Sequence, residues 1–145
     1  MADLEMLRNE IKNFSNEFRK QDLPPIEESG VYFLNKQGNE SVLGWPDSYS
    51  LGNRRGVYGI FNEETLIYVG KASQQDLCYR LSDYFRYGSN RECETKPGHT
   101  WSSEPTSLVV FAVPEEMPFE ASALEEYLIS KLSNELKDNK IGKNA

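Results

Sequence analysis

The chain has 145 residues, of which 38% are hydrophobic and 27% are charged, so length and composition indicate one globular domain with a real core. Its net charge of −7 argues against strong non-specific binding to nucleic acid and leaves weak, structure-specific or partner-assisted binding open. With one histidine and two cysteines, neither a Cys/His zinc site nor a Ser-His-Asp triad has support.

The N-terminal segment predicts an amphipathic helix over residues 3–20. The apolar seam along one side of this helix either packs on the sheet of its own domain, which is the more common arrangement, or forms a homodimer or binds a protein partner. The segment is too charged for a signal peptide, and no run is long enough to span a membrane, so we expect a cytoplasmic protein without membrane contact. The apolar residues of the seam alternate at spacings of three and four and are Leu4, Leu7, Ile11, Phe14 and Phe18.

A linker and a strand follow the helix. Residues 22–28 contain two consecutive prolines and indicate a linker. Residues 29–34 favour a strand, with a return strand near residues 42–43. We therefore expect residues 1–53 to form an N-terminal extension that packs on a core formed by residues 54–145.

The next stretch predicts a β-hairpin followed by a helix. Two runs of β-branched and aromatic residues, 57–61 and 66–69, favour antiparallel strands, and the short polar run between them favours a turn. Ser73 and Asp76 are typical of a helix N-terminus. The helix is expected to run to about Tyr87, because a glycine follows it.

Polar and aromatic side chains converge where this hairpin meets the helix. Tyr58 and Tyr68 lie on the paired strands, and Lys71 follows the second strand. Arg80 and Tyr84 are four residues apart and share one face of the predicted helix. Two phenols, an ammonium and a guanidinium around one cleft suit a phosphodiester substrate, because such groups bind and polarise a phosphate.

The C-terminal part supplies a long loop, a strand and a helix. Residues 88–106 are polar, and we interpret them as a substrate-facing loop. Residues 107–113 are almost all apolar and predict a strand covered on both faces. A helix is expected from Phe119 to about Lys137, with Glu125 at the border of its leucine stripe.

Several of these residues together resemble a known family. Gly56-Val57-Tyr58 and Tyr68-Val69-Gly70 resemble the two signature triplets of the GIY-YIG endonuclease superfamily, in the usual order and at a usual spacing. Arg80 falls where that family has its helix arginine, and the run that begins at Leu124 resembles the helix with its acidic metal ligand. Over residues 54–137 the chain is most similar to the N-terminal nuclease domain of the incision enzyme of excision repair.

This resemblance implies a fold and an activity. The implied fold is α+β, with a small, mainly antiparallel three-stranded central sheet flanked by helices, to which this chain adds an N-terminal helix and strand. The implied activity is divalent-metal-dependent hydrolysis of phosphodiester bonds by an endonuclease that binds DNA, as in DNA repair. One Mg²⁺ or Mn²⁺ ion would be held by Glu125.

The resemblance also implies roles for the clustered side chains. Tyr58 would be the general base, with Lys71 and Arg80 lowering the pKa of its phenol. Tyr68 and Tyr84 would orient the attacking water or the phosphate.

Further substrate contacts are expected around the motif. For Arg54 and Arg55 a solvated basic turn and a phosphate contact are equally good interpretations. The full set of expected substrate-binding residues is Arg54, Arg55, Gly70, Arg86 and Arg91.

The chain departs from the family after its last helix. The excision-repair domain has a proline and then an asparagine there, whereas this chain continues in a helical pattern. Either Asn139 or Asn144 takes the place of that asparagine, or neither does. This departure and the acidic net charge favour an alternative of another class, a catalytically weak nuclease-fold module that binds nucleic acid or a protein partner. The presence of all five residues of the expected site argues against this alternative, so the endonuclease remains the first interpretation; the five are Tyr58, Tyr68, Lys71, Arg80 and Glu125.

Overall fold

The central hairpin forms as its apolar pattern predicts. In the computed structural model, which describes residues 2–34, 51–87, 93–96, 101–136 and 138–139, the two apolar runs pair as antiparallel strands. The return strand expected near residues 42–43 lies outside the described residues. The described elements, in chain order, are α1 (Leu4–Phe18), β1 (Glu27–Phe33), β2 (Gly56–Asn62), β3 (Thr65–Ala72), α2 (Leu77–Leu81), β4 (Phe85–Tyr87), β5 (Cys93–Thr95), β6 (Ser107–Ala112) and α3 (Glu120–Leu132).

The main sheet of the described residues has four antiparallel strands in the order β1-β6-β2-β3. The α+β class is as predicted, but the expected count of three strands is wrong, because β1 pairs with β6 through Val31↔Val109 and Tyr32↔Leu108. β6 is buried along its whole length and is apolar after Ser107, so the backbone groups on both of its edges need partners other than water. The N-terminal extension therefore contributes directly to the central sheet.

Each face of the sheet is covered by a separate hydrophobic cluster. One face packs against α1 and α3, and its cluster joins Val57 and Phe111 of the sheet to Leu124 and Leu128 of α3. The other face packs against α2 and the chain that follows it. Along β2 the side chains alternate between the two faces, as expected for a strand that is buried on both sides.

The seam of α1 packs within its own domain. Asp3 caps the helix by accepting a hydrogen bond from the backbone N–H of Met6 at 2.9 Å. Leu7, Ile11 and Phe14 are buried in the cluster shared with α3, which confirms the first interpretation of the seam for these residues. Phe18 differs, because it lies at the end of the helix and remains 66% exposed.

The second helix is much shorter than predicted. It ends at Leu81, and its cap is Asp76, which accepts a hydrogen bond from the N–H of Tyr79, rather than Ser73. Residues 85–87 form β4 instead, paired with β5. The aromatic residues in this stretch favour strand, and the tertiary pairing outweighs continuation of the helix.

The last helix is also shorter than predicted. α3 begins at Glu120, close to the expected start, and ends at Leu132 rather than near residue 137. No helix in the described ranges is both long enough and apolar enough to cross a membrane.

A buried ion pair joins α1 to α3. Nε of Arg19 donates to Oε2 of Glu120 at 2.6 Å, and Nη2 donates to Oε1 at 3.2 Å. The two side chains are only 6% and 7% exposed. Nη2 also donates to the carbonyl of Pro24 at 2.7 Å, so the guanidinium holds the linker as well. Each buried charge therefore depends on its partner.

We expect Glu120→Ala to lower the free energy of unfolding by about 3–5 kcal/mol, because it leaves the Arg19 charge buried and unpaired. Glu28→Ala, which removes the carboxylate from the more exposed Arg8 pair, is the control and should cost about 1 kcal/mol or less. Urea unfolding of both variants measures the difference. Equal losses would contradict this account of the buried pair, and the double variant with Arg19→Met and Glu120→Leu should recover most of the stability.

Candidate functional site

Three tyrosines from separate segments meet on the α2 face of the sheet. Tyr58 on β2 donates a hydrogen bond to the hydroxyl of Tyr84 at 3.0 Å. The hydroxyls of Tyr68 on β3 and Tyr84 lie 3.2 Å apart. The ring centroids are 5.8–6.3 Å apart, with Tyr84 edge-on to both others. The convergence predicted for these residues is therefore observed, with the Tyr84 hydroxyl as the shared contact.

The glycines of the two triplets make this packing possible. Gly70 pairs directly with Tyr58 across the hairpin, and the Tyr58 ring lies against its Cα. A Cβ added at Gly70 would lie 2.5 Å from Cζ of Tyr58, well inside contact distance. At Gly56 the neighbour is backbone, since a Cβ there would lie 2.9 Å from Cα of Ala112. Tyr58 therefore fills the space beside the Cα of Gly70, and substrate binding at Gly70 stays a prediction.

Burial determines the protonation of the phenols. Tyr58 is 0% exposed, and burial raises its pKa well above the usual range, with a further rise from the neighbouring tyrosines. Burial also raises the pKa of Tyr68, although this residue keeps part of its surface exposed. Arg80 lowers the pKa of both phenols, but burial has the larger effect. In the structure Tyr58 is thus a neutral donor beyond the reach of solvent, which argues against its expected role as the base.

Arg80 lies over the tyrosine cluster. Its guanidinium carbon is 5.1 Å from the centroid of the Tyr84 ring, a cation–π contact. Tyr84 follows the end of α2, so the two residues meet across a turn rather than along one helical face. Nη1 of Arg80 also donates to Asp83 at 2.7 Å, and the side chain remains 35% exposed. An anion can therefore approach this guanidinium from solvent.

Lys71 and Glu125 lie on the other side of β3. Nζ of Lys71 donates to the hydroxyl of Ser122 on α3 at 3.1 Å. Burial raises the pKa of the Glu125 carboxyl, while the positive charges of Lys71 and Arg80 lower it. The site therefore straddles β3, the edge strand, with the phenols on one side and the carboxylate on the other.

Glu125 belongs to this group rather than to the outer surface of α3. The nearest alternative cation on the helix, Lys131, lies over the ring of Tyr127 at 5.6 Å. The charge of Glu125 contributes to the raised pKa of Tyr68, so the carboxylate and the phenol are near enough to interact.

The side chains available as metal ligands limit the kind of metal site that is feasible. Among the described residues no three His, Cys, Asp or Glu side chains form a group that could hold an ion. Glu125 combines partial burial with a raised pKa, so a bound cation would offset the cost of burying its charge. These residues fit one weakly held, largely hydrated Mg²⁺ or Mn²⁺ ion with a single protein ligand, the mode Mg²⁺ favours beside a substrate phosphate.

Asn139 closes the free edge of β3. Its amide accepts from the N–H of Val69 and donates to the carbonyl of Val69, both at 2.8 Å, as a neighbouring strand would. The N–H of Asp138 donates to the carbonyl of Ile67 at 3.1 Å. Asn139 is only 5% exposed, so it supports the strand and does not face a leaving group. Asn144 lies outside the described residues.

The arginines expected to contact substrate lie in different parts of the fold. Arg54 is only 14% exposed; it donates to Glu27 at 3.2 Å and to the carbonyl of Val113 at 2.9 Å. It therefore ties the start of β2 to its neighbours, as the solvated-turn interpretation did not foresee, and its phosphate contact stays a prediction.

The remaining arginines are not brought into the tyrosine cluster by any described contact. Arg86 pairs with Glu94 across the β4–β5 hairpin at 3.0 Å. Arg55 is partly exposed, and its carbonyl accepts a hydrogen bond from Val113. Arg91 lies outside the described residues.

Two residues of the site were not predicted. Ser122 holds Lys71, and its spacing of three from Glu125 on a helix was the available signal, because residues so spaced share a face. Trp101 contacts both Tyr68 and Tyr84, and only its place in the polar segment after the helix pointed to it.

Comparison with known proteins does not add a relative. No family model matches the chain, and neither the curated proteins nor the solved structures contain a significant match. Functional inference therefore rests on the resemblance of the two triplets and on the geometry of the residues around β3.

The raised pKa values of the phenols predict how stability depends on pH. Because the folded-state pKa lies above the unfolded value of about 10, the stabilisation is intact below about pH 10 and is lost as the pH rises beyond it. Each phenol with a raised pKa lowers the free energy of unfolding by up to about 1.4 kcal/mol per pH unit in that window. We expect Tyr58→Phe and Tyr68→Phe each to lose less stability than the unmodified protein between about pH 9 and 11.

Urea unfolding across this pH range is the measurement. Tyr79→Phe is the control, because the Tyr79 ring is 60% exposed and lies outside the cluster. If all three variants lost stability with the same slope as the unmodified protein, burial of the Tyr58 and Tyr68 phenols would not be controlling their ionisation.

Proposed function

We propose that this protein is a divalent-metal-dependent endonuclease of the GIY-YIG type that hydrolyses phosphodiester bonds, with DNA as the first substrate to test. The observation that supports this most is the convergence of groups around β3. Three hydroxyls, Arg80, Lys71 and the partly buried carboxylate of Glu125 lie together, although they come from β2, β3, α2 with its following turn, and α3.

Arg80 and Lys71 would bind the phosphate. Arg80 is partly exposed and directly above the phenols, so a phosphate held there is close to the hydroxyl network. Lys71 approaches from the α3 side, where Ser122 holds its ammonium. Positive charge on both sides of the strand neutralises the charge that develops on the phosphoryl oxygens in the transition state.

Tyr68 is the better candidate for the general base. It keeps exposed surface, whereas Tyr58 has none and is separated from solvent by the other phenols. Because Tyr58 donates to Tyr84, the Tyr84 hydroxyl can in turn donate to Tyr68 and stabilise negative charge on its oxygen. The positive charge of Arg80 also lowers the pKa of Tyr68, which favours the negatively charged phenolate as well.

The proposed reaction is a hydrolysis. Tyr68 is neutral in the unliganded protein, so it first gives its phenolic proton to solvent, a loss that the positive charge of Arg80 favours. A water oxygen then attacks phosphorus, its proton passes to the Tyr68 phenolate, and the bond from phosphorus to the 3′ oxygen breaks. The leaving 3′ oxygen takes a proton from solvent, which gives a 5′-phosphate and a 3′-hydroxyl. When bound at Glu125, a Mg²⁺ or Mn²⁺ ion would supply positive charge that stabilises the leaving oxygen.

Cleavage of labelled duplex, single-stranded, flap and branched DNA with Mg²⁺ or Mn²⁺ tests this proposal. We expect Glu125→Gln and Arg80→Ala to reduce the rate by about 10²-fold or more, because each removes a charge that acts on the transition state. Tyr68→Phe should have a larger effect on rate than Tyr58→Phe, since only Tyr68 reaches solvent. Glu126→Gln is the matched control, because its side chain is the exposed neighbour on the same helix and should leave the rate unchanged.

Two results would reject the enzyme assignment. One is equal cleavage by the Glu125→Gln and unmodified proteins. The other is the absence of cleavage on every substrate with either metal.

A binding module is the second candidate. The full burial of Tyr58 and the raised pKa of Tyr68 favour it, because both keep the phenols neutral in the unliganded protein. The net charge of −7 also favours a selective binder over a general one. Binding of one DNA geometry without cleavage would support this alternative.

A further inference from the structure

A groove of about 860 Å³ lies at one end of the sheet, on the face that packs against α1 and α3. Three neighbouring strands line its floor, because Phe33 of β1 and Phe61 of β2 flank Ser107 of β6 on either side. Val31 and Val109 form the next row of the floor. The described lining includes no residue of the tyrosine cluster, so the groove is separate from the candidate site.

The floor of the groove presents apolar surface to solvent. Phe33 is 38% exposed, whereas Phe61 on the other side of the row is only 3% exposed. Burying an exposed phenyl ring against a ligand is favourable, because it removes apolar surface from water. The groove therefore favours an occupant with apolar side chains.

The rim of the groove is acidic. Its carboxylates come from the N-terminal end of α1, the turn between β2 and β3, and the segment before β6, and they belong to Asp3, Glu5, Glu63, Glu64 and Glu104. Asp3 caps α1 and Glu5 pairs with Arg8 at 2.8 Å. The other three are exposed and have no ion pair within the part of the chain that the structure describes. Among the described residues that line the groove, none is basic.

Hydrogen bonds fix the backbone of this rim. The N–H of Glu63 donates to the hydroxyl of Thr106 at 2.7 Å, and the side-chain amide of Asn62 donates to the carbonyl of Glu104 at 2.7 Å. These two bonds tie the β2–β3 turn to the segment before β6. The backbone that carries the exposed carboxylates is therefore in place before a ligand binds, which lowers the entropy cost of binding.

The distribution of the rim charges indicates which kind of cation fits. No three carboxylates of the described residues form a group that could hold a metal ion, so the negative charge is spread along the rim. A ligand with several separate positive charges complements such a rim better than a single ion does. Lysine or arginine side chains that alternate with apolar side chains match both the rim and the floor.

Two occupants from the protein itself are less complementary in charge. Residues 35–50, which lie outside the described residues, contain one lysine and two acidic residues, so they would bring net negative charge to the rim. A second copy of the chain has a net charge of −7 and is repelled as well. Charge complementarity therefore favours a different, basic partner.

We propose that this groove binds a basic segment of a protein partner, whose apolar side chains cover Phe33 and whose lysine or arginine side chains pair with Glu63, Glu64 and Glu104. The inference does not depend on the proposed function, because the groove and the tyrosine cluster share no described residue. A basic partner would also supply positive charge for nucleic-acid binding that this acidic chain lacks.

Binding of labelled peptides to the whole chain tests the proposal. The probe is a peptide of alternating lysine and leucine. A lysine–serine peptide of the same length has the same charge, and a glutamate–leucine peptide has the opposite charge. We expect the lysine–leucine peptide to bind about tenfold more tightly than the lysine–serine peptide, because only its leucines cover the floor, and the glutamate–leucine peptide not to bind. Fluorescence anisotropy at low and high salt measures the affinities, and salt should weaken them.

A triple variant removes the exposed rim charges. Glu64→Gln and Glu104→Gln keep the side-chain shape, and Glu63→Asn is chosen because asparagine tolerates the positive φ of 52° at that residue. We expect this groove variant to bind the lysine–leucine peptide about tenfold more weakly. Its urea unfolding midpoint should stay close to that of the unmodified protein, which separates lost binding from lost folding.

Two further variants make the test specific to the groove. A control of equal net charge carries Glu17→Gln, Asp22→Asn and Glu116→Gln, three exposed positions outside the described lining, and should change the affinity less than about twofold. Phe33→Thr, which keeps a residue suited to a strand, should weaken the lysine–leucine peptide about fivefold and leave the lysine–serine peptide unchanged.

Three results would overturn the proposal. Equal losses of affinity in the groove variant and the control variant would mean that the peptide binds the acidic surface in general. Equal affinities for the lysine–leucine and lysine–serine peptides would mean that the apolar floor is not used. Absence of binding by every peptide is the result expected if residues 35–50 or a second copy fill the groove instead.

Discussion

The contact between the Tyr58 ring and Gly70 is the constraint on which the candidate site depends. It requires both the antiparallel register that places these two residues opposite each other and the absence of a side chain at residue 70. A slip of β2 by one residue would turn Tyr58 toward α3, away from Gly70 and from the hydroxyl of Tyr84. The hydroxyl network, and with it the position of Arg80, follows from this single pairing.

The candidate site lies on β3, which is an edge strand of the sheet. An edge strand exposes its backbone, and a strand in that position is open to pairing with other chains. Here the Asn139 amide and the Asp138 N–H take up backbone groups of β3, so the edge is closed without a further strand. Glu125 on α3 interacts electrostatically with Arg80 on α2, although the two helices cover opposite faces of the sheet.

The sequence was sufficient to predict those elements whose local residue pattern agrees with their packing in the fold. The hairpin, the seam of α1 and the position of Tyr58 and Tyr68 on one face of the sheet follow from the alternation of apolar residues and from turn chemistry, which act over a few residues. The position of Glu125 beside the leucine stripe likewise followed from helical spacing.

Other features depend on contacts between distant segments. β4 replaces the predicted end of α2 because β5 is available to pair with it, and nothing within residues 82–87 identifies that partner. The fourth strand of the sheet depends on β6 needing a neighbour on each edge. Arg54 binds Glu27 and the carbonyl of Val113, both remote in sequence, so its context beside the first triplet could not reveal whether it faces substrate or the fold.

The protonation of the tyrosines links these structural points to chemistry. The sequence places cations near the phenols, and taken alone this predicts a lowered pKa. Burial, which only the fold determines, acts in the opposite direction and is the larger effect. Consequently the most deeply placed tyrosine, Tyr58, is a hydrogen-bond donor to Tyr84, and in the proposed reaction proton transfer would fall to Tyr68, which combines partial exposure with contact to the network. In the proposed reaction a cation at Glu125 would lower the pKa of Tyr68 further, whereas without that cation burial keeps the Tyr68 phenol neutral beside Arg80.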